Sequence, residues 1–310
     1  MESTLGAALL LMLVAASAAQ SCQCATNHRV TSCTMESGTC TCTSFGSDQR
    51  VDCSTLTSKC LLMKAEMTRS PSRGRRFMKP EDGFLDNDGL YNPDCTANGT
   101  FKAKQCNQTD TCWCVNSAGV RRTDKGDTTM VCSRLVRTNW IFIEMKHQER
   151  ESAFPESEVK NSLRQIIQSR YMLHPKYITL IEYDSPFIHI DMKQNESQMT
   201  SRDVDIADVA YYFEKDIKRN SAFPPSNVFN LSVNGEPLNI EEILIYYVDE
   251  QPPEFTMKRL AAGVIAVVVV VVLAIIIGIT VLVITRRRRT GKYEKVEIKE
   301  MGEMRRGQNS

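Results

Sequence analysis

From Leu260 to Thr285 the chain runs for 26 residues without a charge. A helix crosses the hydrocarbon core of a bilayer in about 20 residues. The run is therefore long enough to span, and too long and too apolar to be the core helix of a soluble domain. Arg286 to Arg289 follow it at once, while only Lys258 and Arg259 stand before it. That excess of cations places the C-terminus in the cytoplasm. A second apolar run, Leu5 to Ala19, is too short to span and ends in Ser17 and Ala19, small residues at the spacing of a signal-peptidase site. Together the two runs predict a single-pass type I membrane protein: signal peptide 1–19, a lumenal and then extracellular portion, a transmembrane helix 260–285 and a cytoplasmic tail 286–310.

Net charge is close to zero, 38 basic against 37 acidic residues, without the basic excess of a nucleic-acid binder. All twelve cysteines fall between Cys22 and Cys132. An even number on the lumenal side of a signal peptide reads as disulfides. The rival is zinc at Cys22-x-Cys24 and Cys40-x-Cys42, but zinc pairs favour two to four intervening residues and reducing compartments. Neither a metal nor a cofactor is expected. Four Asn-x-Ser/Thr sequons, at Asn98, Asn107, Asn195 and Asn230, share this side of the membrane and are candidate glycosylation sites.

The extracellular portion divides by composition. Residues 20–59 hold six cysteines, a segment too small to bury much core without staples. Six cysteines allow 15 pairings, and spacing alone does not choose among them. Residues 60–132 hold the other six, with 34 residues between Cys60 and Cys95. That stretch carries Lys64, Arg69, Arg73, Arg75, Arg76 and Lys79 with Pro71 and Gly74, and reads as an exposed, flexible loop. The Arg75-Arg76 pair in it suits a trypsin-like protease better than Arg121-Arg122 further on.

Residues 133–257 lack cysteine and alternate strand and helix periods. Trp140 to Met145 puts Ile141, Ile143 and Met145 on one face of a strand. Val159, Leu163, Ile166 and Ile167 recur at helical spacing, with Pro175 as the stop. Tyr177–Tyr183 and Phe187–Met192 read as two strands joined across Asp184-Ser185-Pro186. A second helix starts at Asp205, which caps it. Asp208 suits its dipole, and Ile206, Val209, Ala210, Phe213 and Ile217 form its buried stripe. Phe229–Val233, the turn signal Asn234-Gly235, and Ile243–Val248 close the segment. The order βαββα followed by strands predicts a cysteine-free α+β domain, an antiparallel or mixed sheet with two helices on one face. The fold class is thus α+β multidomain.

Within residues 60–132 stand Gln105-Cys106, Cys112-Trp113-Cys114-Val115, Gly119 and Cys132. Cys112 and Cys114 point to one side of an extended strand and Trp113 to the other. This constellation resembles the thyroglobulin type-1 domain. With the six-cysteine module before it, the run Asp203 to Phe213, the Val-rich span and the tail Lys292 to Glu300, nearly the whole chain resembles the epithelial cell adhesion molecule (EpCAM) and trophoblast cell-surface antigen family. The resemblance implies the pairs Cys60–Cys95, Cys106–Cys112 and Cys114–Cys132, and Cys22–Cys40, Cys24–Cys53 and Cys33–Cys42. It also implies an epithelial adhesion and signalling glycoprotein at lateral cell–cell contacts of the plasma membrane. Its ectodomain would form a cis homodimer, the thyroglobulin-type loop reaching the partner's C-terminal domain, with trans association as a further mode. Extracellular and then intramembrane proteases would release the tail. The alternative is a membrane-tethered cysteine-protease inhibitor whose wedge is the Trp113 region with loop 61–94.

None of His28, His147, His174 and His189 lies beside a nucleophile or paired acid in the sequence, so no catalytic residue is assigned. In the span, Ala262 with Ala266 and Ala274 with Gly278 repeat at four-residue spacing, which lets another helix approach closely. The family points to a claudin-type membrane protein or a second copy as that helix's owner. The tail carries nine basic and four acidic residues. In it Tyr293 and Val296 fit a tyrosine-based sorting signal.

Overall fold

The computed structural model describes residues 21–68, 91–107, 110–255 and 266–286. Described residues up to Glu254 form one compact unit, and those from Phe255 onward form another.

The chain enters through a three-stranded antiparallel sheet of β1 (Val30–Glu36), β2 (Thr39–Ser44) and β3 (Arg50–Asp52), in that order. Ser37 and Gly38 both take positive φ at the β1–β2 turn, the conformation that a two-residue hairpin needs. The core beneath is only Cys24, Cys42, Val51 and Leu61. Disulfides Cys22–Cys40, Cys24–Cys53 and Cys33–Cys42 tie it.

Next comes α1 (Lys59–Thr68). The sequence reading assigned residues 61–68 to a flexible loop; they are helical. Leu61 packs into the small first core while Leu62 and Met63 pack into the main one. A helix buried on two sides carries no single apolar stripe, so its period is hard to see. Cys60 is bonded to Cys95. A two-stranded ladder of β4 (Lys104–Cys106) and β5 (Cys112–Cys114) follows, closed by Cys106–Cys112 and tied to Cys132 through Cys114.

The motif residues have physical roles here. Gln105 is buried; its side-chain oxygen accepts from Asp94 N–H, and its NH2 donates to the carbonyls of Asp94 and Lys102. It therefore reinforces the short antiparallel bridge of Cys95 with Phe101, where Lys102 N–H also donates to Asp94 O. Trp113 is 2% exposed and meets the Tyr91 ring edge-on at 5.2 Å. Gly119 sits at φ +77, where a Cβ would lie 2.5 Å from the Phe101 ring, so only glycine fits.

The cysteine-free domain is built on a four-stranded antiparallel sheet in the order β11-β6-β8-β7. These strands are β6 (Thr138–His147), β7 (Ile178–Asp184), β8 (Phe187–Lys193) and β11 (Ile240–Asp249). Register aligns Ile245, Ile143, Ile190 and Ile181 in one row across all four strands. That face is covered by α2 (Glu156–Arg170) and α3 (Ile206–Ile217). Helix α2 buries Val159, Leu163 and Ile167, with Glu156 and Glu158 in its first turn and Arg170 in its last. It stops at Arg170 rather than at Pro175, because Met172 turns to φ 56. Pro175 instead opens a short 3-10 turn, Pro175–Tyr177. Asp205 caps α3, its side chain accepting from Ala207 N–H. Asn234 and Gly235, both at positive φ, join β9 (Ser232–Val233) to β10 (Glu236–Pro237) and not to the long β11.

In the second unit, α4 (Ala266–Arg286) has a mean hydropathy of 3.6 and is long and apolar enough to cross a membrane. Residues 1–20 and 256–265 lie outside the described residues, so the signal peptide and the start of the expected span 260–285 are not placed.

The central row gives a direct test. Ile190 is fully buried in a central strand. Ile190→Ala should cost about 2–5 kcal/mol, read as a lower midpoint with unchanged slope in urea unfolding of the ectodomain.

Candidate adhesive surface

The sheet's other face is open. Across it run the rows Val248–Trp140–Lys193, Tyr246–Phe142–Asp191–Leu180 and Leu244–Glu144–His189–Glu182. Leu180, Tyr246 and Val248 are exposed large apolar side chains, as is Phe187 at the end of β8. Phe142 stacks on His189 at 5.5 Å and meets Tyr246 at 5.8 Å. Trp140 Nε1–H donates to Asp191 Oδ1 at 3.1 Å, while Lys193 Nζ lies 4.4 Å above the indole. His189 Nε2 is 3.6 Å from Glu144 Oε2. The face thus mixes pre-ordered aromatic side chains with charges of both signs.

Three layers of contacts hold this face rigid. On its outer side α3 packs against α1 and residues 26–29. The Tyr212 hydroxyl donates to Thr26 O, and the Tyr211 hydroxyl and Lys215 Nζ both donate to Glu66 Oε2 at 3.0 Å. Arg29 pairs with Glu66 at 3.1 Å and also donates to the carbonyls of Asn220 and Ser221. The expected single stripe on α3 is therefore incomplete: Tyr211 and Tyr212 are buried as well, because both sides of the helix are covered. Burial, with Glu66 beside it, pushes the Tyr211 hydroxyl well above its usual value.

At the N-terminus of α1, Lys59 N–H donates to Asp208 Oδ1 at 2.7 Å, and Lys59 Nζ lies 4.8 Å from the Tyr247 ring. Asp208 lines a cleft of about 250 Å³ with Arg134, Arg137, Glu196, Asp205 and Glu250. Burial, reinforced by the Asp205 charge, raises the Asp208 carboxyl to about 8. The sequence reading gave Asp208 only a dipole role; it also caps a helix of the neighbouring module.

Asp249 closes the third layer. Its carboxylate accepts from Asn116, Thr138 and Arg122 Nε, each at 2.8 Å, and burial holds it above the usual carboxylate range. Arg122 is 4% exposed and donates also to the carbonyls of Gln251 and Pro252. Arg122 is therefore shut away from a protease cleft. Arg75 and Arg76 lie outside the described residues.

Other assignments sort cleanly. Asn98, Asn107, Asn195 and Asn230 are all exposed. Sulfur clusters that would suit a metal, Cys24–Cys42–Cys53 and Cys33–Cys40–Cys42, consist of disulfide-bonded cysteines, which offer no thiolate. Each histidine has a structural partner: His28 Nδ1 with Ala222 O, His147 with Gln148 O and the Tyr183 hydroxyl, His174 with Lys176 N–H, and His189 with Phe142. Trp113, in the region expected to form an inhibitory wedge with loop 61–94, is buried in the core, and residues 69–90 of that loop lie outside the described residues. Ala266, Ala274 and Gly278 lie on α4, whereas Ala262, Tyr293 and Val296 fall outside the described residues.

Comparison with known proteins agrees with this architecture segment by segment. Residues 22–59 match the epithelial cell adhesion molecule N-terminal domain, 60–132 the thyroglobulin type-1 repeat, and 138–249 the EPCAM/Trop-2 C-terminal domain. Epithelial cell adhesion molecule of Mus musculus is 56% identical, covering 97% of each chain. Tumor-associated calcium signal transducer 2 of Homo sapiens is 53% identical, covering 96% of this chain and 94% of its own. This chain belongs to the EpCAM/Trop-2 family. In this member the open sheet face and the charged seams behind it come from residues that periodicity did not single out. One signal was present: β6 carries Trp140 and Phe142 opposite its isoleucines, and a strand apolar on both faces is one that both faces cover.

Two measurements test the seams. Asp208 binds a proton more tightly folded than unfolded, so its contribution is fully present in acid and is lost as pH rises through about 8. Asp208→Asn keeps the acceptor for Lys59 N–H. Its melting temperature should match the parent's below about pH 4 and exceed it increasingly from there to about pH 8. Asp249→Ala leaves Arg122 buried without its counter-charge and should cost about 3–5 kcal/mol. The parent ectodomain should resist trypsin at Arg122, and the variant should be cut there.

Proposed function

We propose that this member of the EpCAM/Trop-2 family is an epithelial cell-surface adhesion and signalling glycoprotein that acts by ectodomain self-association. The open face of the β11-β6-β8-β7 sheet carries this reading. A two-fold interface sets a patch against its own copy, so it needs both charge signs. Lys146 and Lys193 against Glu144, Glu182 and Asp191 supply them. In the cis homodimer the segment following α1, with Arg69, Arg73, Arg75, Arg76 and Lys79, reaches the partner's C-terminal domain, where those acidic residues complement it.

Trans association between cells, residence at lateral cell–cell contacts and glycans on Asn98, Asn107, Asn195 and Asn230 belong to the same reading. So does approach of a second copy or a claudin-type membrane protein along Ala262, Ala266, Ala274 and Gly278. Shedding and intramembrane proteolysis release a tail sorted through Tyr293 and Val296, while cleavage at Arg75-Arg76 leaves a nicked chain held together by Cys60–Cys95. Trp113 is buried, and no observation favours the inhibitor alternative over adhesion.

Phe142→Asp with Tyr246→Asp tests the surface. Both side chains lie on the open face in one row with Asp191, so the variant should stay folded with a lower urea midpoint and an unchanged slope. It should weaken self-association of the ectodomain at least about tenfold (about 1.4 kcal/mol) in sedimentation equilibrium. In suspended non-adhesive cells, expressing cells should cluster with one another and exclude untransfected ones, and the variant should abolish clustering. A parent ectodomain that stays monomeric at micromolar concentration would remove the self-association reading.

A further inference from the structure

Histidine is the side chain whose ordinary titration falls between pH 5 and 8. The open sheet face carries one, His189, on the inner strand β8. Register sets Glu144 of β6 directly opposite it on one side and Glu182 of β7 on the other. Opposed side chains on neighbouring strands stand close enough to interact. His189 Nε2 is 3.6 Å from Glu144 Oε2, and its ring stacks on Phe142 at 5.5 Å. About a third of each of these two polar side chains is exposed, 32% for His189 and 36% for Glu144, so protons reach the pair from solvent.

The other charges around His189 are few. Lys146 follows on β6, Asp184 on β7 and Asp191 on β8 itself, while β11 sets Leu244 beside Glu144 and Glu242 beside Lys146. Lys193 lies over the Trp140 indole two rows away. Helices α2 and α3 cover the opposite face. Among the described residues, neither Glu144 nor Glu182 pairs with a lysine or an arginine. With His189 neutral, two carboxylates in one row therefore face outward without a cation of their own. With His189 protonated, a cation stands between them and its Nε2–H points to Glu144.

We propose that His189 is a proton switch on self-association. Neutral, it leaves the Glu144–His189–Glu182 row free for cations of a second copy; protonated, it occupies that row itself and loosens the pair. The switch rests on the self-association reading, in which these acidic residues meet basic residues of the partner. Two effects act in the same direction. The protonated ring competes for Glu144 from within its own chain, at the high effective concentration of a tethered group. It also sets a positive charge where the partner's lysines and arginines must approach. Acidification from pH 7.5 to 5.5 releases the partner, the drop that a surface protein meets on uptake into an acidifying vesicle.

The test is sedimentation equilibrium of the intact ectodomain at pH 7.5 and 5.5 and one ionic strength, with urea midpoints at both values to show that it stays folded. The parent's dissociation constant should rise about five- to tenfold on acidification. His189→Gln keeps a hydrogen-bonding side chain that does not ionise, and should hold the parent's pH 7.5 affinity at both values. His189→Lys carries the cation permanently and should be weak at both. Asp208 also gains protons over this range, but it lies in the cleft at α1 and does so in parent and variants alike. A parent that associates equally at both values overturns the switch and leaves self-association standing. Tighter association in acid, as relief of repulsion between two acidic faces would give, does the same, and so does a His189→Gln variant that keeps the parent's pH dependence. A parent monomeric at both values removes the self-association reading, and the switch with it.

Discussion

Helix α3 is covered on both sides, and the ectodomain depends on it. One side closes the core of the four-stranded sheet with Val209, Ala210 and Phe213; the other receives α1 and the segment before β1 through Tyr211 and Tyr212. Modules too small to bury much apolar surface alone thereby share a core with a domain that can. A single hydrophobic cluster runs from Leu62 and Trp113 through to Ile190. The disulfides hold each small module in shape, while the shared helix holds the modules to one another.

The seams between modules are polar. Arg29–Glu66–Lys215 and Arg122–Asp249 are buried or nearly so, and Asp208 caps a helix across the junction. Removing such charges from water costs most of what their attraction returns. Their effect is directional: a carboxylate that must meet Arg122, Asn116 and Thr138 together permits one orientation of the two domains. That fixed orientation is what an adhesive face needs, since an interface on a swivelling domain loses affinity to ordering.

Much of the architecture was legible in the sequence. The spanning helix follows from uncharged length alone. Strands β6, β7 and β8 and helices α2 and α3 followed from period, because each has a face that meets one core. Legibility failed where a residue answers to two neighbours at once. Helix α1 was read as loop because Leu61 and Leu62 point into different cores. The burial of Tyr211 and Tyr212 escapes periodicity for the same reason, and nothing local marks Arg122 as buried, because its counter-charge is 127 residues away.

By itself, then, the sequence determined topology, the division into modules and the local elements, since hydrophobic length, cysteine context and periodicity act over a few residues to a few turns. Tertiary structure decided which sheet face stays open, which charges are buried, and which carboxylates flank His189. Those depend on strand register and on contacts between segments far apart in the chain: β11 beside β6, Asp249 on Arg122, Glu144 beside His189. No local pattern encodes such distances, because they exist only once the cores have closed.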